Sequence, residues 1–255
     1  MIPPRENYRF DEEERECSYL PHETASLTYR LYRGLTPTEY ESLLVRGWRR
    51  FGISVFRPRC ADCTKCISLR VLAREFRPSK SQRRVLRKNE TVQVQLRRAT
   101  VTDQHIQLYN VWHENRTQDV GWRPQFTDPD EYAQSFLIGE FPSLFEMQYW
   151  EKGRLLGIGL VDMVPSGVSS AYVYYDPDWL DRSPGTFSAL SEIQLAQRLG
   201  LPYVYLGYWI TGCRSSEYKN RFRPYETLIG RPDDDETPVW IRSDAPSTEL
   251  KSSSE

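Results

Sequence analysis

A chain of 255 residues with 27% charged residues is long enough for one large domain or two moderate ones. No apolar run approaches the roughly 20 residues that span a bilayer, and the N-terminal MIPPRENYRFDEEERE has no apolar core, which argues against a secretory signal. Five cysteines, an odd number with three of them inside seven residues, argue against a disulfide framework and for a reduced, cytoplasmic setting. The net charge of −1 hides an asymmetry. Between Arg46 and Arg98 there are 16 Lys/Arg against 3 acids, and elsewhere 18 against 32. One strongly basic region in a neutral average suggests an anionic partner docking on one face.

Residues 1–16 read as an acidic, flexible lead-in. Structure begins at Cys17-Ser18-Tyr19-Leu20-Pro21, and the alternation of Ala25 to Leu35 predicts a strand. Thr36-Pro37-Thr38-Glu39 carries the cap, first-turn proline and capping-box acid of a helix that runs to about Arg46, with Gly47 closing it. Trp48 to Phe56 predicts a further strand. Cys60, Cys63 and Cys66 then form two successive Cys-x-x-Cys steps, a spacing that suits thiolate ligation of zinc or an iron–sulfur centre, with Cys17 as fourth ligand; three ordinary thiols are the plain alternative. After a strand over Leu69 to Phe76, Ser79 or Ser81 caps a helix carrying Arg83, Arg84, Arg87 and Lys88 on one face. No acid interrupts that face before Glu90, so it is a candidate for nucleic-acid backbone contact.

Val92 to Arg98 predicts a strand that opens a second domain, followed by helices from Thr102 through His113 and from Thr127 to about Ile138. His105 and His113 are expected to be packed or solvated rather than catalytic. Leu144 to Trp150 and Leu155 to Met163 form a hairpin about Glu151-Lys152-Gly153-Arg154, and Ser169 to Tyr175 gives the next strand. A Ser183-Pro184-Gly185-Thr186 turn feeds an amphipathic helix, whose open N-terminus favours a phosphate. An aromatic strand, Tyr203 to Ile210, and a basic segment, Tyr218 to Arg223, complete the core. The tail from Arg231 reads as mostly disordered. The organisation is thus a lead-in over 1–16, a smaller basic, Cys-containing α+β domain over 17–90, an α/β domain over 91–230 and a tail over 231–255.

Here the residues carry a resemblance. The stretch YVYYDPDWLDRSPGTFSALSEIQLAQRLGLPYVYLGYWITGCRSSEYKNRFRPYETL is similar to the C-terminal domain of the aminoacyl-tRNA–protein transferases, and GWRRFG, FRPRCADCTKC and SQRRVLRKN resemble the N-terminal domain. The likeness covers roughly residues 17 to 228. The chain departs from the pattern at Pro184, where leucine is usual, at Ser216-Glu217, where Lys-Met is usual, and at Leu20, where eukaryotic relatives carry a second cysteine. The resemblance implies an acetyltransferase-like C-terminal fold of order β-α-α-β-β-β-α-β, and a reaction in which an amino acid passes from tRNA to a protein N-terminus, marking the protein for N-end-rule degradation. The short two-domain plan resembles the bacterial aspartate/glutamate leucyltransferases. Leucine is therefore the expected donor residue, with arginine the alternative and an N-terminal Asp or Glu the expected acceptor.

Aminolysis of an ester needs positioning and a modest base but no cofactor. Gly185 and Thr186 are expected at the terminal nucleotide phosphate, with Arg83, Arg84, Arg87 and Lys88 along the tRNA. Asp176 or Glu192 is expected to take the proton, and Tyr205 or Tyr208 to orient the ester. Lys219, Arg221 and Arg223 are expected to hold the acidic acceptor. Two other classes compete. A coenzyme A-dependent acetyltransferase would leave the basic N-terminal region without a role, and a non-catalytic tRNA-binding module would leave the second half unexplained.

Overall fold

A computed structural model describes residues 6–244. Its strands are β1 (Glu6–Asp11), β2 (Arg15–Glu16), β3 (Thr24–Ala25), β4 (Leu27–Tyr32), β5 (Arg49–Phe51), β6 (Ser54–Pro58), β7 (Ile67–Leu72), β8 (Gln93–Arg98), β9 (Leu144–Glu151), β10 (Arg154–Val164), β11 (Gly167–Tyr175), β12 (Tyr203–Trp209), β13 (Tyr225–Leu228) and β14 (Trp240–Ser243). The helices are α1 (Pro37–Leu44), α2 (Lys80–Lys88), α3 (Asp103–Val120), α4 (Pro129–Tyr132), α5 (Pro184–Arg198) and α6 (Arg214–Glu217). A four-stranded antiparallel sheet has the order β1-β4-β6-β5, and an eight-stranded mixed sheet has the order β14-β13-β7-β12-β11-β10-β9-β8. From β8 to β12 the chain follows the expected β-α-α-β-β-β-α-β course, with antiparallel neighbours up to β11 and a parallel β11–β12 pair.

The alternation of β10, reset by a bulge at Leu156, sets the layering. Leu156 faces α5, where it joins Leu190, Ile193 and Val71, whereas Ile158 and Leu160 face α3 and join Leu108, Tyr109 and Trp112. A third cluster, with Tyr40, Leu44, Trp48 and Val55, lies between the small sheet and the large one. Capping chemistry sets two helix starts. Thr36 and Glu39 close a capping box on α1, and Ser79 and Gln82 close one on α2, so Ser79 rather than Ser81 is the cap.

Several expectations change. The lead-in is not all flexible: Glu6–Asp11 pairs with β4, since backbone hydrogen bonds, blind to its charges, complete the edge of the small sheet. Residues 1–5 lie outside the described range. The strand expected from Trp48 to Phe56 is the β5–β6 hairpin, turned at Gly52 with φ +49°. There a Cβ would lie 2.7 Å from the Gln134 carbonyl oxygen, so the turn requires glycine. β7, from the N-terminal stretch, inserts between β12 and β13, so the large sheet draws strands from both sides of residue 90.

The tail is also ordered as far as Asp244. β14 pairs with β13, and the acidic run straps back over the N-terminal half. Asp234 pairs with Arg30 at 2.8 Å, and the Pro232 carbonyl accepts from Arg57 at 2.7 Å. Both guanidinium groups stack on Trp48, at 4.3 and 4.6 Å from the ring centroid. Acids that look unpartnered in sequence are thus matched by distant arginines. Residues 245–255 lie outside the described range.

Candidate active site

β11 and β12 stay paired for only three positions, Gly167–Tyr203 to Ser169–Tyr205. A bulge between Leu160 and Val161 then bends β11 away from one neighbour, and a second between Tyr205 and Gly207 bends β12 from the other. Gly207, at φ +81°, supplies the left-handed residue the second bulge needs. The strands part, and two cations enter the opening. The Arg49 guanidinium donates to the Ser170 carbonyl, and Lys219 Nζ donates to the Tyr208 carbonyl at 2.8 Å. A Cβ on Gly207 would lie 3.6 Å from Lys219 Nζ and 3.7 Å from Arg49 Cζ, so both cations sit over that glycine.

Glu192, on the third turn of α5, completes the group. It is buried, and its Oε1 accepts from the Ser170 hydroxyl at 3.1 Å and the Ser188 hydroxyl at 3.4 Å. The Tyr149 hydroxyl donates to Ser188 Oγ at 2.8 Å. Oε2 has no partner. Burial pushes the carboxyl up to about 7, against the opposing pull of the two serine hydroxyls, Arg49 and Lys219. Burial, reinforced by Arg49, brings the Lys219 ammonium down to about 8. A carboxylate that gains and loses its proton near neutrality thus lies beside two cations at a split in the sheet, the arrangement proton transfer and anion binding require.

The expected residues do not all gather here. Glu192 and Lys219 do. Asp176 caps the short helical turn Pro177–Arg182 and pairs with Arg154. It also lies six residues beyond Ser170, roughly 20 Å along an extended strand. Tyr205 is buried in the core between the sheets, its hydroxyl 3.3 Å from Arg70. Tyr208 is buried and donates to the Gly47 carbonyl at 2.8 Å, while burial raises its phenol far above the ordinary range. Lys219, Arg221 and Arg223 diverge because the helical turn Tyr218–Arg221 fans their side chains. Lys219 enters the opening, Arg221 is exposed beside α5, and Arg223 stacks on Tyr225.

Gly185 and Thr186 open α5. Ser183, in a left-handed conformation, gives no side-chain cap, and a Cβ on Gly185 would meet nothing within 4 Å. Thr186, Ser183, Ser81 and Arg221 line a cavity of about 210 Å³ between α5 and α2. The basic helix of the N-terminal stretch therefore lies against the helix N-terminus of the other half. Gln82 ties α2 to the Tyr218–Arg221 turn beside them, donating to the Arg221 carbonyl at 3.1 Å. On α2, Arg83 donates to the Pro78 carbonyl and Lys88 to the Asp181 carbonyl, whereas exposed Arg84 and Arg87 have no partner among the described residues.

Cys17, Cys60, Cys63 and Cys66 line one cavity of about 110 Å³, with Leu20, Phe56, Tyr208 and Ile210. Burial and then the neighbouring thiols push Cys66 up to about 12. Among the described residues no group of three or more His, Cys, Asp or Glu is placed to hold a metal ion.

Arg49, Ser170, Ser188, Tyr149 and Gly207 escaped the sequence reading. Arg49 leaves a trace: it is half of an Arg-Arg pair inside an apolar strand. Its neighbour Arg50, on the opposite face of β5, is buried against Asp162 at 2.6 Å.

An antiparallel sheet splayed from a single parallel partner, reached by a β-α-α-β-β-β-α-β course, is the fold of the acetyltransferase-like class of acyltransferases. The family description "Arginine-tRNA-protein transferase, N terminus" matches residues 15–84, and "Arginine-tRNA-protein transferase, C terminus" matches residues 104–229. The chain is 37% identical over 231 residues to the aspartate/glutamate leucyltransferase of Helicobacter hepaticus, covering 91% of this chain and 96% of the relative. It is 37% identical over 221 residues to the enzyme of that name from Pseudomonas aeruginosa, covering 84% and 91%. Among solved structures, the C-terminal domain of a putative lysylphosphatidylglycerol synthetase from Agrobacterium fabrum is similar with a TM-score of 0.47 and 12% identity, over 64% of this chain and 58% of that one. The chain belongs to the arginine-tRNA-protein transferase family and is an enzyme that transfers amino acids. Its substrates are tRNA and protein. Among the described residues no helix is long and apolar enough to cross a membrane.

Proposed function

We propose that this protein transfers leucine from its tRNA to the N-terminal Asp or Glu of an acceptor protein in the cytoplasm, marking it for N-end-rule degradation. The observation that carries the mechanism is the buried Glu192 carboxylate, with one oxygen unpartnered, beside Arg49 and Lys219. Leucine as donor rests on the names of the relatives.

In this reading the donor's terminal phosphate lies at the open turn Gly185-Thr186, near Arg221, with Arg84 and Arg87 along the acceptor stem. Eight residues of α-helix, roughly 12 Å, separate Pro184 from Glu192, the scale of one nucleoside carrying its amino acid. The acceptor's acidic side chain is held by Arg49 and Lys219. Its α-amine, with an ordinary pKa near 8, loses a proton to Glu192 and attacks the ester carbonyl carbon. The C–N bond forms, the bond to the ribose oxygen breaks, and the proton passes to that oxygen. The ester is already activated, so the balance needs no further reactant. Cys17, Cys60, Cys63 and Cys66, soft donors that line one cavity, are the residues that would hold a zinc ion or an iron–sulfur group. Such a group would cross-link the N-terminal segment to the 60–66 loop, and no step passes through it.

A donor-swap assay tests the proposal. A peptide beginning with Asp is mixed with tRNA charged with Leu, Phe or Arg, and the product is read by mass. Addition of leucine is expected. Addition of arginine alone would replace the donor, and bound tRNA with no addition from any donor would overturn the transfer reading.

A further inference from the structure

A line of aromatic rings leaves the opening along the small sheet. Phe56 lies directly opposite Arg49, so their side chains share one face. Tyr29 lies opposite Phe56 on that face, and Phe10 opposite Tyr29. The centroid of Phe56 is 6.0 Å from that of Tyr29, Tyr29 is 5.1 Å from Phe10 with the planes 12° apart, and Phe10 is 5.7 Å from Tyr8. The inner rings are half-buried, but Phe10 is 39% exposed and Tyr8 61%. A row of exposed rings that runs into a reaction site is a surface built for contact.

The charge around the outer rings selects the occupant. Residues 6–16 hold six acids against two arginines. Asp11 pairs with Arg59 at 3.0 Å and Glu12 with Arg15 at 2.9 Å, which leaves exposed Glu13 and Glu14, with no ion pair among the described residues, as the open carboxylates. A nucleic acid laid here would bring its phosphates against these carboxylates. A polypeptide with cationic side chains gains twice, from the carboxylates and from the ring faces.

We propose that this shelf binds the acceptor polypeptide just beyond its N-terminal residue and favours Lys, Arg and aromatic residues there. The proposal deepens the transfer reading above and rests on it for the name of the occupant. The acidic first residue sits at Arg49 and Lys219, and the following chain passes Phe56 and Tyr29 toward Phe10 and Tyr8. At about 3.3 Å per extended residue, the three ring-to-ring steps accommodate about five residues. The enzyme then reads a bipolar acceptor, acidic at position one and basic or aromatic after it.

Three peptides test this, each beginning with Asp and continuing Lys-Tyr-Lys-Tyr, Gly-Ser-Gly-Ser or Glu-Gly-Glu-Gly. Transfer is measured with charged tRNA saturating, and fluorescently labelled copies are titrated without tRNA. The basic–aromatic peptide is expected to show a KM and a Kd roughly two- to fivefold lower for each ring engaged, with an unchanged kcat. In a Tyr8→Ala, Phe10→Ala double variant its constants rise to those of the Gly-Ser peptide. Equal constants for the three peptides on the unaltered protein overturn the proposal. Weakened tRNA binding by the double variant also overturns it and assigns the shelf to RNA. If no peptide is turned over, but the basic–aromatic peptide still binds best and loses its advantage in the double variant, the shelf stands and the transfer reading falls.

Discussion

Glu192 is buried, with its oxygen Oε1 shared by two serine hydroxyls and its oxygen Oε2 without a partner among the described residues. The folded state therefore favours the protonated carboxyl, raised from 4.5 to about 7. Between those values the native protein holds more protons than the unfolded chain, so this group's contribution to stability falls as pH rises from 4.5 to 7. Glu192→Gln keeps the shape and removes the titration. It should flatten that slope in urea melts at several pH values, and lower kcat by about 10²-fold or more. Activity has the opposite sign on this side. The base must be ionised, so kcat/KM toward an Asp-initiated acceptor should rise through about pH 7. It should fall above about 8, as Lys219 loses its charge. The glutamine variant should lose the acidic limb alone, and a wild-type profile with no limb near 7 would remove Glu192 from the chemistry.

At the scale of elements, α2 and α5 divide the labour. α2 offers a basic face and α5 an open N-terminus; the two helices pack together, and Gln82 bonds α2 to the neighbouring Tyr218–Arg221 turn. Arg84 and Arg87 have no partner among the described residues, so removing them breaks no internal bond. The double variant Arg84→Ala, Arg87→Ala should melt like the parent. Its tRNA affinity should weaken, and the slope of log K against log salt should become shallower by about 1.5, the loss of two phosphate contacts. An unchanged slope would place the tRNA elsewhere. The bulge at Gly207 acts on the same scale, since bending β12 away from β11 makes room for the Arg49 and Lys219 side chains.

Across the whole molecule, the acidic strap and the arginines beneath it join the two ends of the chain. The exposed ion pairs are the weaker part, because water screens Asp233 and Asp234. The platform is stronger: Trp48 is fully buried between the sheets, with Arg30 and Arg57 stacked on it. Trp48→Ala should therefore destabilise the protein by about 3–5 kcal/mol, whereas Asp234→Asn should cost about 1 kcal/mol or less. Urea unfolding of both variants checks the order, and the reverse order would make the strap a charge-held clamp. The strap also explains why the basic excess between Arg46 and Arg98 is not all available to a partner. Arg46 and Arg57 are held inside the molecule, and the free cations lie on α2.

Local patterns in the sequence determined much of this. Alternation marked β4, β8 and β11, and short-range side-chain chemistry marked the starts of α1 and α2, because those signals act over two to four residues. The same short range explains the misses. The charges of β1 hid a strand held by backbone bonds to β4, and the apolar residues on both sides of Gly52 hid the β5–β6 turn there. The acids of the strap looked unpartnered because their arginines lie about 180 to 200 residues earlier. Glu192 and Lys219 were legible as candidates, but their meeting with Arg49 was not. That meeting depends on β7 entering the large sheet and on two bulges splitting β11 from β12. Sequence alone determined the residues able to do the chemistry; only tertiary structure decided which of them share one site, because burial and long-range contact set both a side chain's proton affinity and its neighbours.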